Sequence, residues 1–147
     1  MENKPWGFHL ILDVKECNVI KATNPKHIKK FSDELVKRID MIPYGEPQIV
    51  HFCDGDQQKA GWTLIQLIQT SNIMGHFVDH QGDAYLDVFS CKEFDPEIVL
   101  QTIKEYFSPK SINWRFVSRD VNNLSPDEKN GTINYINNEE FVTEGFF

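Results

Sequence analysis

The chain has 147 residues, of which 40% are hydrophobic and 25% are charged, and its formal net charge at pH 7 is -7. This length and composition predict one soluble globular domain with a core of its own and exclude an intrinsically disordered chain. The acidic balance, with no basic run longer than Lys29-Lys30, disfavours nucleic acid or an anionic membrane as the main partner.

The N-terminal stretch has no apolar segment of signal-peptide length, because Asp13 and Lys15 interrupt it, and no stretch approaches the ~18 apolar residues of a membrane span. The three cysteines, Cys17, Cys53 and Cys91, are widely spaced and include no Cys-x-x-Cys pair. This pattern predicts neither a zinc site nor a disulfide framework. We therefore expect a protein of the reducing cytoplasm that holds no metal.

The predicted elements begin with a strand at 7–14, followed by a helix that starts at Asn24-Pro25 and ends near Asp40. Short apolar runs bounded by turn residues then predict four strands, at 48–53, 61–69, 72–78 and 84–91. A second helix starts at Asp95-Pro96 and ends before Ser108, and a last strand follows at 112–118. The order β-α-β-β-β-β-α-β predicts an α+β two-layer sandwich, with an antiparallel sheet and two helices on one face.

From Asp120 onward the composition changes to Asn, Asp, Glu and Gly with isolated aromatic residues. We therefore predict a domain at 1–119 and a C-terminal tail or extension at 120–147. A short strand or turn is expected near Thr132 to Ile136. The tail also contains aromatic residues that are expected to dock on the domain or on a partner: Phe141, Phe146 and Phe147.

Four reactive side chains lie on three consecutive predicted strands: Thr63, Ser71, His76 and Cys91. Taken singly, each has an ordinary structural interpretation as a turn residue, a core histidine or a small buried hydrophobe. Together, a hydroxyl, an imidazole and a thiol on adjacent strands are expected to converge on one site. Two roles are then open for Ser71. Its hydroxyl attacks a bound substrate, with His76 as the base, or it attacks the carbonyl of Thr70 in its own chain. The chain has no Gly-x-Ser-x-Gly elbow, which disfavours a hydrolase of that kind.

The runs TSNIMGHF and AYLDVFSCK resemble the core of the pyruvoyl-dependent S-adenosylmethionine decarboxylase family, in its short bacterial and archaeal form. The resemblance covers about residues 7–119. It includes the opening GFHLILDV followed by Cys17-Asn18, a Ser/Thr-x7-Ser-x4-His spacing, and the strand that ends in DVFSC.

The resemblance implies that Ser71 is the precursor of a pyruvoyl group. Its hydroxyl attacks the carbonyl of Thr70 to form an ester, and elimination then cuts the chain between these two residues. The family pattern assigns His76 to that elimination, Thr63 to a supporting role in processing, and Cys91 to the return of a proton to the product. The pyruvoyl group forms a Schiff base with the substrate amine and takes up the electrons left by CO2.

The chain departs from the family at two places. The usual Glu-Ser at the cut is Thr70-Ser71, and the usual His-Thr-Trp/Tyr-Pro-Glu is HFVDH at 76–80. Phe77 and Asp79 are therefore the candidate substrate contacts. The implied substrate is S-adenosylmethionine, and the implied assembly is a homodimer with sites near or across the interface. Two alternatives stay open: a pyruvoyl-dependent decarboxylase of ornithine or arginine, and an unprocessed relative that acts as a binding or regulatory subunit.

Overall fold

The computed structural model describes residues 4–123, 125–136 and 139–145. For the described residues after Tyr135 it describes the backbone but not the side chains. Within these ranges eight antiparallel strands form one sheet, in the spatial order β2-β3-β4-β5-β1-β6-β7-β8. The strands are β1 Gly7–Lys15, β2 Pro43–Phe52, β3 Gly61–Ile68, β4 Ser71–Val78, β5 Ala84–Ser90, β6 Ser111–Arg119, β7 Glu128–Ile136 and β8 Glu139–Gly145. No helix in the described part of the chain is long and apolar enough to cross a membrane.

Three helices accompany the sheet: α1 Val19–Ala22, α2 Pro25–Arg38 and α3 Pro96–Phe107. The two longer helices begin as their sequences predict, because Asn24 and Asp95 each accept hydrogen bonds from backbone N–H groups of the first turn and a proline follows. Phe31 of α2 and Phe107 of α3 pack edge to face, with ring centroids 4.9 Å apart, and both are buried. The two helices thus close the core over one face of the sheet.

The side chains of the central strands alternate between this core and the opposite face. On β5, Ala84, Leu86 and Val88 are buried, whereas Tyr85 between them is 53% exposed. The opposite face carries further partly exposed apolar side chains, namely Val50, Ile65, Leu67 and Met74. We call these four residues, together with Tyr85, the open face.

The predicted fold class is confirmed, since the antiparallel sheet and the two helices on one face are both present. β2 begins earlier than expected, because Pro43 and Pro47 lie in an edge strand that has an irregularity between Tyr44 and Gln48. Prolines suit such an edge, where one side of the strand needs no ladder hydrogen bonds. The short helix α1 is not among the predicted elements, since four residues are too few to show a period.

The segment predicted as a tail contributes strands to the sheet. β7 pairs with β6 over a longer stretch than the expected short strand, and its Ile133 is buried. β8 pairs with β7 in turn. The predicted docking of Phe146 and Phe147, and of the side chain of Phe141, lies outside the described residues.

Candidate active site

The strands β3 and β4 form a hairpin whose two-residue turn is Gln69-Thr70, and Ser71 is the first residue after that turn. The φ angle of Ser71 is 151°, a value that residues with a side chain rarely adopt. Backbone strain of this sort costs on the order of 1–3 kcal/mol and is found preferentially at functional sites. It lies here at the bond between Thr70 and Ser71.

The carbonyl of Thr70 is held by the strand next to it. The backbone N–H of Cys91 donates to the Thr70 oxygen at 2.9 Å, and Ser71 is the register partner of Ser90. The structure thus places the backbone of Cys91 beside the bond between Thr70 and Ser71. An N–H already aimed at a carbonyl oxygen stabilises the negative charge that develops there when a nucleophile attacks the carbon.

The side chain of Thr70 is fixed by Ser90, which is not among the residues predicted from the sequence. Ser90 is fully buried, and its hydroxyl donates to Thr70 Oγ1 at 2.7 Å while it accepts from the N–H of Lys92 at 3.0 Å. Thr70 Oγ1 in turn donates to Met41 Sδ at 3.3 Å. The only sequence signal for this role is that a polar residue occupies a core position of β5.

Thr63 and His76 form a second cluster. They are register partners on β3 and β4, and the Thr63 hydroxyl lies 2.9 Å from His76 Nδ1. His76 Nε2 lies 2.8 Å from the carbonyl oxygen of Lys59. A carbonyl oxygen can only accept, so Nε2 carries the hydrogen, and Nδ1 of the neutral ring accepts from Thr63. Thr63 is two residues from Ile65 and His76 is two from Met74, so both side chains lie on the same side of the sheet as the open face.

The two clusters do not meet within one chain. His76 follows Ser71 by five residues on the same strand, which at about 3.3 Å per residue is a separation of roughly 16 Å. The predicted convergence of hydroxyl, imidazole and thiol is therefore wrong for a single chain. Register explains this, because Thr63 pairs with His76 at one end of the hairpin, while Ser71 pairs with Ile68 at the other.

The two predicted substrate contacts lie elsewhere. Phe77 is fully buried and packs against Phe31 and Phe107, so its ring has no face free for a substrate, and this assignment is corrected. The carboxylate of Asp79 lies 2.6 Å from His51 Nε2, so its first partner is a side chain of the same protein.

A cavity of about 590 Å³ is lined by Trp6, Phe89 and Arg119, with the loop at 120–122. It adjoins the Cys91 end of β5, because Gly7 lies against the backbone of Ser90 and Cys91. The Arg119 guanidinium lies over the Phe89 ring at 5.2 Å, and Trp6 is 60% exposed. This cavity has no signal in the sequence, since only the pairing of β1 with β5 and β6 brings its walls together.

Comparison with known proteins adds independent findings. A sequence profile of the family described as S-adenosylmethionine decarboxylase matches residues 8–120. The S-adenosylmethionine decarboxylase proenzymes of two Clostridium botulinum type A strains are each 24% identical to the chain over 114 residues, which is 77% of this chain and 93% of theirs. The crystal structure of the adenosylmethionine decarboxylase from Aquifex aeolicus VF5 matches with a TM-score of 0.67 at 21% identity, covering 84% of this chain and 98% of that one. This structural match shows a shared fold.

Proposed function

Because the matching profile covers most of its length, the chain belongs to the S-adenosylmethionine decarboxylase family, and on that premise we propose that it is a self-processing decarboxylase of S-adenosylmethionine. It cleaves itself between Thr70 and Ser71 and converts Ser71 into a pyruvoyl group. The observation that carries the proposal is the geometry at that bond. Ser71 has a strained backbone, and the N–H of Cys91 donates to the oxygen of the carbonyl that the Ser71 hydroxyl must attack.

Self-cleavage follows from these groups in two bond exchanges. The Ser71 hydroxyl adds to the Thr70 carbonyl carbon, the negative oxygen is held by the Cys91 N–H, and the C–N bond breaks to leave an ester and a free amine. A base then removes the Cα proton of Ser71, and the Cβ–O bond breaks, which releases Thr70 as a carboxylate. The unsaturated remnant of Ser71 takes up water and loses ammonia, and a pyruvoyl group is left at the new N-terminus.

The base in this scheme is His76, acting through Nδ1. Its other nitrogen is occupied, because Nε2–H donates to the Lys59 carbonyl. The Thr63 hydroxyl, 2.9 Å from Nδ1, holds the ring until the proton arrives. Thr63 stands where the family has a serine, and threonine keeps the hydroxyl that this role needs.

The distance of roughly 16 Å between Ser71 and His76 leads us to propose a homodimer. In this dimer the two copies pack open face to open face, and the two-fold axis crosses the strands near Met74. Each end of the β3–β4 hairpin of one copy then lies next to the opposite end of the hairpin of the other. The Thr63–His76 pair of one copy then approaches the Ser71 backbone of the other, where the Cα proton is; the Ser71 side chain lies on the core side with its register partners Ile68 and Ser90. Partly exposed apolar residues at the middle of the hairpin, Ile65 and its register partner Met74, support this packing.

The residues around Ser71 fit a pyruvoyl group, because a nucleophilic hydroxyl, a polarised carbonyl and an exposed thiol are assembled there. That group supplies a carbonyl that binds the substrate amine and accepts the electron pair released when CO2 departs. Cys91 then gives its thiol proton to the substrate carbon. The cavity lined by Trp6 and Phe89, which adjoins the Cys91 end of β5, is our candidate space for the rest of the substrate. Apart from the cavity wall at 120–122, these residues precede 120, so we assign the family's domain to 1–119 and treat 120–147 as an extension.

A basic amino acid is the second candidate substrate. The motif at 76–80 ends in His80 where the family has a carboxylate, and Phe77 is withdrawn into the core. Both changes remove expected contacts to S-adenosylmethionine. Release of CO2 from carboxyl-labelled S-adenosylmethionine, ornithine and arginine, compared at equal concentrations, decides between these substrates.

Mass analysis of the denatured protein tests self-cleavage. We expect two fragments divided between Thr70 and Ser71, the first with a free carboxylate and the second with a blocked N-terminus. Their summed mass differs from that of the intact chain by one water gained and one ammonia lost. Ser71→Ala must stay whole. An intact wild-type chain after long incubation overturns both decarboxylase proposals and leaves the non-catalytic binding subunit.

A further inference from the structure

His51, on β2, lies between two carboxylates. Its Nδ1 is 2.5 Å from Asp54 Oδ1, its Nε2 is 2.6 Å from Asp79 Oδ2, and the edge of its ring meets Trp62 at a centroid distance of 5.0 Å. Ionised carboxylates only accept hydrogen bonds, so both ring nitrogens must carry a hydrogen for both contacts to form. His51 is therefore a charged imidazolium bridge.

The two carboxylates belong to different parts of the chain. Asp54 lies in the loop at 53–60, which joins β2 to β3, and Asp79 directly follows β4. The N–H of Asp79 also donates to the carbonyl of Ala60, at the end of the same loop, at 2.9 Å. His51 and Asp79 thus tie both ends of the loop to the end of β4.

Inside the loop, Asp56 fixes the backbone that presents Lys59. Its carboxylate accepts from the N–H groups of Gln58 and Lys59, at 2.9 and 3.2 Å. The carbonyl of Lys59 then accepts from His76 Nε2 at 2.8 Å. A continuous set of contacts therefore runs from His51, through the loop, to the ring of the proposed base.

We propose that His51 is a positioning residue for His76: by bridging Asp54 and Asp79 it holds the loop whose Lys59 carbonyl fixes the His76 ring as the Nε2–H tautomer. This inference rests on the proposed function, in which Nδ1 must be the unprotonated, basic nitrogen. Without the bridge the Lys59 carbonyl moves, the Nε2–H tautomer of His76 loses this support, and the fraction of chains with a basic Nδ1 falls.

Asp79 is partly exposed, at 36% of its side chain, but it is not fully open to water. Its Oδ1 is buried and makes no hydrogen bond in the part of the chain that the structure describes, so His51 supplies its charge partner. The charged groups that face the His51 ring are Asp54 from the loop and Asp79 from the end of β4, and the uncharged Trp62 faces it from β3. Both carboxylates favour the protonated ring, with the hydrogen bond to Asp79 as the larger cause of its raised pKa.

The test compares His51→Gln with a matched histidine variant, His27→Gln. In His51→Gln the new side-chain amide can still donate to Asp79 but not to both carboxylates at once. His27 likewise uses a ring nitrogen to bond another element, the Tyr106 carbonyl at 2.6 Å, but lies on α2 away from the loop. In the uncleavable Ser71→Ala background, long-range ¹H–¹⁵N spectra of the histidine side chains report the tautomer of His76. In the cleavable background, the rate of self-cleavage is followed by gel.

We expect His51→Gln to convert His76 from the Nε2–H form to a mixture of tautomers and to slow cleavage by up to roughly a hundredfold, the loss that a misplacement of about 1 Å can cause in a reacting group. His27→Gln must change neither. If His51→Gln does not fold, Asp54→Asn, at a side chain that is 82% exposed, loosens the loop alone and must shift the tautomer in the same direction. An unchanged His76 tautomer in His51→Gln and Asp54→Asn overturns the inference. If the wild-type chain never cleaves, the proposed function fails, and the tautomer measurement decides the inference alone.

Discussion

Replacement of Ser90 by alanine tests whether the buried hydroxyl holds the cleavage site in place. Ser90 Oγ donates to Thr70 Oγ1 and accepts from the N–H of Lys92, so Ser90→Ala removes two hydrogen bonds at once. The side chain is fully buried, and water cannot replace the lost partner without entering the core. The Gln69-Thr70 turn then loses its link to β5 through the Thr70 side chain and keeps only the bond from the Cys91 N–H.

The size of the effect follows from those two bonds. Each contributes about 0.5–1.5 kcal/mol, so Ser90→Ala costs roughly 1–3 kcal/mol in the uncleaved protein. If the whole loss is added to the activation free energy for attack of the Ser71 hydroxyl on the Thr70 carbon, cleavage slows about 5-fold to about 150-fold. Each ~1.4 kcal/mol corresponds to a factor of ten in rate. Cleavage is measured by translating the protein in vitro with labelled methionine and resolving samples on a gel at intervals.

Ser32→Ala is the matched control, because Ser32 is equally buried on α2 but its Oγ makes no hydrogen bond within the described residues. It should leave the cleavage rate unchanged and the stability unchanged or slightly higher. Thermal melting in the Ser71→Ala background gives the stability of each variant. Cleavage of Ser90→Ala at the wild-type rate, with its melting temperature lowered as expected, refutes a positioning role for the hydroxyl.

Three further predictions concern Cys91, the open face and His51. Cys91→Ala keeps the backbone N–H that donates to the Thr70 carbonyl, so the chain should still cleave. It removes the thiol proton donor, so release of decarboxylated product should fall about 10²- to 10⁴-fold. A Cys91→Ala chain that stays whole contradicts the assignment of cleavage to the N–H and of proton return to the thiol. Ile65→Glu places a charge at the centre of the proposed dimer interface. Sedimentation should show a folded monomer, and the gel assay should show that this monomer does not cleave. A monomer that cleaves contradicts a site shared between two copies. The pKa of His51 is raised from 6.5, so its contribution to stability is complete below about pH 6.5 and is lost as the pH rises through the raised value. The melting temperature of Ser71→Ala should therefore exceed that of Ser71→Ala/His51→Gln at about pH 6 and approach it toward alkaline pH; a constant difference refutes the charged bridge.

Much of the fold follows from local sequence patterns. Short apolar runs bounded by turn residues mark the central strands, and Asn24-Pro25 and Asp95-Pro96 mark the starts of both long helices. These signals are readable because each depends on neighbours within a few residues. The strands after 120 are largely absent from the prediction, because their polar residues become part of a sheet only by pairing with β6.

The candidate site is less completely predictable. Ser90 and His51 have only structural interpretations in the sequence, yet one holds the turn at Thr70 and the other bridges Asp54 and Asp79. Apart from Asp54 and Lys92, the partners of both residues are distant in the chain, so neither role has a clear local signal. Phe77 is predicted as a substrate contact because it follows His76, but alternate residues of a strand face opposite sides, and Phe77 faces the core.

The sequence by itself determined the family, the fold class and the identity of the bond between Thr70 and Ser71 as the place to examine, because residue types and their spacing along a strand are local properties. Only the tertiary structure decided which of these residues meet. Strand register places the Cys91 N–H on the Thr70 carbonyl and pairs Thr63 with His76 at the far end of the same hairpin. Spacing gives the distance between two residues along a strand, but which other strand lies beside them depends on how the whole sheet assembles.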